Sequence, residues 1–85
     1  MEMKTIQPIP PTLAPFFQEF DLERLNLKRA APLIIERTLQ YGDRAEIRWL
    51  FTEYTRAQII NWYRNYAKER LPQPHLTFWR IVLDI

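Results

Sequence analysis

The feature that most constrains the fold of this chain is the position of its only glycine, Gly42. It follows Tyr41, the last apolar position of a helical stripe, where a glycine in the left-handed conformation commonly ends a helix. Asp43 comes next, and Glu46, three residues later, completes the sequence pattern of a capping box. We therefore predict that one helix ends with a left-handed Gly42 and that another begins at Asp43, with almost no loop between them.

Apolar residues at helical spacing predict a helix on each side of this junction. The segment before it, about 28–41, contains Pro32, which a helix tolerates in its first turn. The segment after it, about 44–54, has apolar residues on two sides, because Trp49 lies roughly opposite the main apolar face. Neighbours on both sides of this helix would account for that pattern. The alternative is that Trp49 is exposed and binds a partner.

Three further helical segments are predicted. Asp21 is a candidate N-cap for a short helical turn, and Thr55 is one for a helix over about 56–69, which two later prolines end. Residues 76–83 combine strand-favouring side chains with a helical apolar stripe. Because no other segment offers a strand partner, we predict that they form a short C-terminal helix that packs Trp79 into the core.

Proline defines the predicted domain boundary. Four of the seven prolines lie within residues 1–15, and proline biases the residue before it towards extended geometry. The sequence therefore predicts an extended Pro-rich N-terminal arm over residues 1–15 and a single helical domain over residues 16–85. The predicted fold class is all-α, a small orthogonal bundle of four to five short helices.

Composition argues against enzymatic chemistry. The chain has no Ser and no Cys, so it lacks the nucleophiles of the common hydrolytic triads, and one glycine is too few for a glycine-rich phosphate loop. His75 is the only imidazole, whereas metal sites usually recruit several His or Cys residues. We expect His75 to be a cap or surface residue, and we expect no catalytic residues, no metal and no cofactor.

The chain also lacks the segments that direct proteins into membranes. No apolar run approaches the ~20 residues of a membrane span, and the first residues lack the apolar core of a signal peptide. A chain without Cys is compatible with a reducing compartment. We expect a soluble, cytoplasmic protein that does not contact a membrane.

Basic residues are in excess in the second part of the chain. Residues 1–53 carry seven Lys or Arg and eight Asp or Glu, whereas residues 54–85 carry five and two. Such an excess can attract phosphate or an acidic partner, although it is also common on solvated helical faces.

The helix predicted over about 56–69 has an apolar face and an amide-rich, cationic face. Its sequence Gln58-Ile59-x-x-Trp62-Tyr63-x-Asn65 resembles the recognition helix of homeodomains, in which an aromatic pair packs inward and an Asn reads adenine. The resemblance implies DNA contact by four residues: Asn61, Arg64, Asn65 and Lys68. The alternative is an ordinary core stripe with a solvated polar back.

A second resemblance covers most of the chain. Its most specific block is Ile34-Ile35-x-Arg37-x-Leu39-x-Tyr41-Gly42, followed by Arg48-Trp49-Leu50 and Phe78-Trp79. These motifs resemble a family of small bacterial domains of unknown function that are often encoded beside AbiEii-type nucleotidyltransferase toxins. The resemblance implies an antitoxin-like or accessory role and a protein partner.

We therefore predict a non-catalytic interaction protein, plausible as an antitoxin, that binds a protein partner through exposed aromatic side chains and the N-terminal arm. The candidate partner-binding residues are Trp49, Phe16 and Phe17. Helix-turn-helix-type DNA binding through residues 56–68 is the alternative. A small aromatic-rich domain is also compatible with a homodimer.

Overall fold

A computed structural model describes residues 9–85, which form helices and turns throughout. Two 3-10 helices run over Pro11–Phe17 and Leu22–Arg24. The α-helices are α1 (Ala31–Tyr41), α2 (Arg44–Glu53), α3 (Arg56–Trp62), α4 (Lys68–Arg70) and α5 (His75–Leu83), and a π-helical turn over Tyr63–Ala67 joins α3 to α4. The described residues contain no strand, which confirms the predicted all-α class. None of these helices is both long and apolar enough to cross a bilayer.

The predicted junction between α1 and α2 is confirmed. Asp43 accepts a hydrogen bond from the backbone N–H of Glu46, and the backbone N–H of Asp43 donates to the Glu46 carboxylate, each at 2.8 Å. This capping box satisfies backbone donors at the start of α2 that have no partner within the helix. Because both partners lie within three residues, the pattern is readable from the sequence alone.

The predicted left-handed conformation of Gly42 is wrong. Its φ is −69° and its ψ is 146°, an extended geometry that any residue can adopt. Glycine is needed here for another reason, since a Cβ atom at this position would lie 2.5 Å from the carbonyl oxygen of Thr38. That oxygen accepts the backbone N–H of Gly42 at 2.8 Å. Gly42 therefore provides room for a close backbone approach.

A second capping box begins the helix that carries the amide-rich face. The Thr55 hydroxyl accepts from the backbone N–H of Gln58 at 3.1 Å, and the Gln58 side chain accepts from the backbone N–H of Thr55 at 2.7 Å. The predicted N-cap is confirmed, and Gln58 serves that cap. The π-helical turn then widens the helix before α4, and such turns are frequent at functional sites.

The core draws on almost every element. Its buried members include Leu13, Phe17, Ile34, Leu39, Leu50, Ile59, Trp62, Trp79 and Leu83. Trp79 confirms the predicted C-terminal helix and its docking, since it is 5% exposed and its Nε1–H donates to the carbonyl oxygen of Leu39 at 2.8 Å. This bond and the packing of the indole fix α5 against α1.

The N-terminal segment differs from the predicted arm where the structure describes it. Residues 1–8 lie outside the described residues. Residues 11–15 are not extended, because they belong to the 3-10 helix Pro11–Phe17, and Ile9 and Leu13 are buried in the core. Proline fixes φ near −65° but leaves ψ free, so the same residue serves an extended segment or a helical turn. Burial of the apolar side chains decides between the two.

Arg37 joins the first 3-10 helix to α1. Its guanidinium makes two parallel hydrogen bonds of 2.7 Å to the Glu19 carboxylate and donates to the carbonyl oxygen of Phe16 at 2.8 Å. The same group lies 5.3 Å from the centre of the Phe17 ring. Two-pronged bonds of this kind are stronger and more directional than single ones. The arginine of the Ile-Ile-x-Arg block therefore has a structural role.

This ion pair predicts acid sensitivity. Hydrogen bonds from Arg37 lower the pKa of Glu19 from 4.5 to about 2. A carboxyl group whose pKa is lower in the folded state than in the unfolded state stabilises the fold at pH values above its unfolded-state pKa. That stabilisation is lost as the pH falls towards the folded-state pKa. We expect the free energy of unfolding to decline between pH 4.5 and about 2, and Glu19→Gln to remove this part of the decline.

Urea denaturation of both proteins across this pH range checks the prediction. The Glu19 side chain is 55% exposed, so added salt should reduce the difference between them. Superimposable pH profiles at low salt would contradict the proposed contribution of Glu19.

Candidate functional site

Helix α5 presents an apolar surface on the side opposite the core. Trp79 and Leu83 are buried, whereas Phe78, Ile81 and Val82 are 54%, 69% and 42% exposed. Residues at this i, i+3, i+4 spacing share one face of a helix. We call these three residues the α5 apolar face. Single exposed apolar residues are normal on protein surfaces, whereas a contiguous group on one helix is a candidate contact surface.

A hollow of about 520 Å³ adjoins the α5 apolar face at Phe78. Apolar side chains of Leu39, Ile47 and Trp79 line it, and His75 is also part of its lining. His75 is half-buried, and its Nδ1 atom has no hydrogen-bond partner in the described part of the chain. Phe78 thus belongs both to the α5 apolar face and to the lining of the hollow.

The other flank of α5 borders a basic groove. The groove has a volume of about 620 Å³ and lies between the π-helical turn with α4 and helix α5. Its charged lining consists of Arg64, Lys68 and Arg80, which we call the groove cations. Within residues 9–85, no Asp or Glu lines the groove. The same described part of the chain offers no salt-bridge partner to any groove cation.

All four residues predicted to contact DNA are exposed on the helix 56–70. Two of them, Arg64 and Lys68, line the basic groove. Asn65 differs from the homeodomain pattern, because its side-chain N–H groups bond to the backbone and side-chain oxygens of Asn61 at 2.8 and 3.2 Å. Reading adenine with this amide would require those bonds to break.

The predicted aromatic partner-binding residues are less available than the sequence suggests. Phe17 is 1% exposed and lies in the core, so it has no surface to offer. Phe16 is half-buried and stacks on Tyr41, with ring centres 5.0 Å apart. Trp49 is also half-buried and packs against the core. Phe16 and Trp49 therefore offer only part of each ring to a partner.

The α5 apolar face is absent from the sequence-based candidates, although a signal for it exists. Six of the eight residues 76–83 are apolar. A helix that packs against a small core on one side buries only part of such a set, and the remainder must face solvent or a partner. Arg80 was also missed, because its place beside Arg64 depends on how α5 docks.

The described residues include no group of three or more His, Asp or Glu side chains placed to hold a metal ion. The α5 apolar face offers apolar side chains for contact, and the groove cations offer charged hydrogen-bond donors.

Residues 13–63 match the model of DUF6922, a family of unknown function. The matched segment contains the Arg37 contact and the Gly42–Asp43 junction, and α5 lies beyond it. No curated protein and no solved structure matches the chain.

Proposed function

Since the chain belongs to DUF6922, a family of unknown function, we propose from its own surfaces that it is a non-catalytic, cytoplasmic interaction protein. Its partner is a protein that covers the α5 apolar face. The observation that carries this proposal is the exposure of Phe78, Ile81 and Val82 on one face of a helix whose opposite face is anchored in the core.

The energetics of the α5 apolar face favour a partner. Burying a large apolar side chain completely contributes about 1.5–3 kcal/mol of free energy. Phe78, Ile81 and Val82 are still largely exposed in the isolated domain, so most of this contribution becomes available only when a partner covers them. Anchors at i, i+3 and i+4 are the pattern by which a helix binds an apolar groove on another protein. The adjoining hollow at Phe78 can in turn receive a side chain of the partner. The partner surface should therefore be apolar and grooved.

The partner that we propose is a nucleotidyltransferase-type toxin encoded beside this chain, to which the chain is antitoxin or accessory protein. The support is the resemblance carried by the Ile34–Gly42 block and by the motifs Arg48-Trp49-Leu50 and Phe78-Trp79. Phe78 is the residue at which this resemblance and the exposed face coincide.

Ile81→Glu tests the proposal, because a charge at a 69% exposed position should disrupt docking without unfolding the domain. Ala57→Glu is a matched control, since Ala57 is exposed in the first turn of α3 and lines neither the hollow nor the basic groove. Each protein is produced in the native host with the neighbouring gene expressed. We expect the wild type and Ala57→Glu to co-purify with the neighbouring product and Ile81→Glu to lose it.

Two results would contradict the proposal. Elution of the wild type without the neighbouring product would exclude the proposed toxin partner. Equal recovery of that product with Ile81→Glu would exclude the α5 apolar face as the binding surface. A third possibility is a homodimer formed through the same face. Light scattering on the purified wild type would detect this dimer, and Ile81→Glu should convert it to a monomer.

A second candidate function is helix-turn-helix-type DNA binding, and the exposure of Asn61, Arg64, Asn65 and Lys68 on one helix favours it. Under this reading Asn65→Ala relaxes the choice of duplex sequence, whereas Lys68→Gln weakens all duplexes alike. Unchanged sequence preference in Asn65→Ala would argue against base reading, and the Asn65–Asn61 bonds already point that way.

A further inference from the structure

We propose that the basic groove between the π-helical turn and α5 binds a nucleotide, with the phosphate held by Arg64, Lys68 and Arg80. This site goes beyond the proposed protein-binding function and uses the opposite flank of α5. It also differs from the predicted DNA-reading face, because it includes Arg80 and does not use Asn61 or Asn65.

The charge balance of the groove favours an anion. Three cations line one concave surface, and no Asp or Glu side chain of the described residues lines it. The nearest acidic residues in sequence, Glu69 and Asp84, are exposed and neither lines the groove nor pairs with a groove cation. Like charges that share a cleft raise the local potential and concentrate counter-ions there. A ligand with two or more negative charges is the natural complement.

Hydrogen-bonding capacity in the groove favours the same ligand. The side-chain oxygen of Gln73 already accepts from the backbone N–H and the hydroxyl of Thr77, at 3.2 and 2.8 Å. The Gln73 amide N–H groups are therefore left to donate into the groove that it lines. Together with the groove cations they form a set of donors, which suits the several acceptor oxygens of a phosphate.

The size and floor of the groove indicate an organic phosphate. Its volume of about 620 Å³ falls in the range typical of small-molecule sites, so a lone inorganic phosphate would leave most of it empty. Tyr63, Leu76 and Ile85 provide apolar lining. The Tyr63 hydroxyl donates to the carbonyl oxygen of Leu76 at 2.6 Å, which holds the ring in place. A nucleotide matches both parts, because its base can pack on an aromatic ring and its phosphate can meet the cations.

Nucleotide chemistry can come from a free nucleoside triphosphate or from a nucleotide within a nucleic acid strand. Fluorescence anisotropy distinguishes these sources with two labelled probes, a nucleoside triphosphate and a short single-stranded oligonucleotide. The variants are Arg64→Gln and Arg80→Gln, and the matched control is Arg48→Gln on α2. All three arginines are exposed, and Arg48 does not line the groove. Circular dichroism before each titration verifies that every variant is folded.

We expect the wild type to bind at least one probe at low salt. Loss of one charged contact should weaken binding about tenfold in Arg64→Gln and in Arg80→Gln, with Arg48→Gln unchanged. For a strand held by three cations, the logarithm of affinity should fall with the logarithm of salt with a slope of roughly −2, and each variant should reduce that slope by about 0.7.

Binding of the triphosphate alone would identify a free nucleotide as the ligand, and binding of the oligonucleotide would identify a strand. Either result supports the site when Arg80→Gln weakens it. No binding of either probe at low salt would overturn the proposal, as would an affinity of Arg80→Gln equal to that of Arg48→Gln. Neither failure affects the protein-binding proposal, since that proposal rests on Phe78, Ile81 and Val82, none of which lines the groove.

Discussion

Gly42→Val is expected to destabilise the protein by about 3 kcal/mol, because valine places side-chain atoms where backbone already lies. The first added carbon would sit 2.5 Å from the carbonyl oxygen of Thr38 and 3.1 Å from the Thr38 methyl group. Main-chain atoms of α1 cannot yield as the tip of a flexible side chain can. Relief requires the backbone at residue 42 to move away from the last turn of α1, which weakens the hydrogen bond from the residue 42 N–H to the Thr38 carbonyl oxygen. For a domain of this size, the loss corresponds to a fall in Tm of roughly 12–24 °C.

Two milder substitutions identify the cause. If Gly42 were present for a left-handed φ, Asn would be better tolerated than Ala, since Asn adopts that conformation more readily. With φ at −69°, the conformation is open to both residues, and both add the same obstructing carbon. We therefore expect Gly42→Asn to be no more stable than Gly42→Ala in urea denaturation. An Asn variant close to the wild type would contradict the steric explanation.

This junction shows what the sequence can and cannot predict. The capping box was predictable, because Asp43 and Glu46 satisfy each other within three residues. The conformation of Gly42 was not, because an extended or a left-handed ending depends on where the next helix must pack. The same distinction applies to the arm, where proline restricts φ but burial of Leu13 determines the helical turn.

The candidate surfaces show the same distinction between features set by neighbours in sequence and features set by packing. The exposed polar face of residues 61–68 was predictable from helical periodicity, which requires only neighbours in sequence. The basic groove was not, because it needs Arg80 from α5 beside Arg64 from the π-helical turn. Aromatic side chains are also ambiguous, since they are used in cores and at interfaces alike. Phe17 proved to be core, whereas Phe78 proved to be exposed.

Trp79→Ala is expected to have the largest effect of all, a loss of about 3–5 kcal/mol in the free energy of unfolding. The indole is 5% exposed, lies edge-on to Phe78 at 5.0 Å between ring centres, and faces Phe51 at 6.3 Å. Its removal leaves a cavity and also leaves the Leu39 carbonyl oxygen without its donor. Small domains have about 5–15 kcal/mol of stability in total, so a large share is at stake.

Trp79→Phe separates the two causes, because phenylalanine retains most of the ring while removing the Nε1–H donor. We expect this variant to lose about 1–2 kcal/mol, the usual cost of an unsatisfied buried acceptor. Urea denaturation gives both values. Equal losses for Phe and Ala would show that the bond to Leu39 matters more than the packing of the indole.

The functional consequence of Trp79→Ala is sharper than its effect on stability, because α5 positions both proposed surfaces. Arg80 and Ile81 follow Trp79 directly, so release of α5 should abolish the groove and the apolar face together. Hydrogen exchange measures this release, and we expect loss of protection in α5 while α1 retains more. Nucleotide and partner binding should then both disappear in Trp79→Ala and persist in Trp79→Phe. If Trp79→Ala still binds the nucleotide or the partner although α5 has lost its protection from hydrogen exchange, that binding site lies elsewhere on the domain.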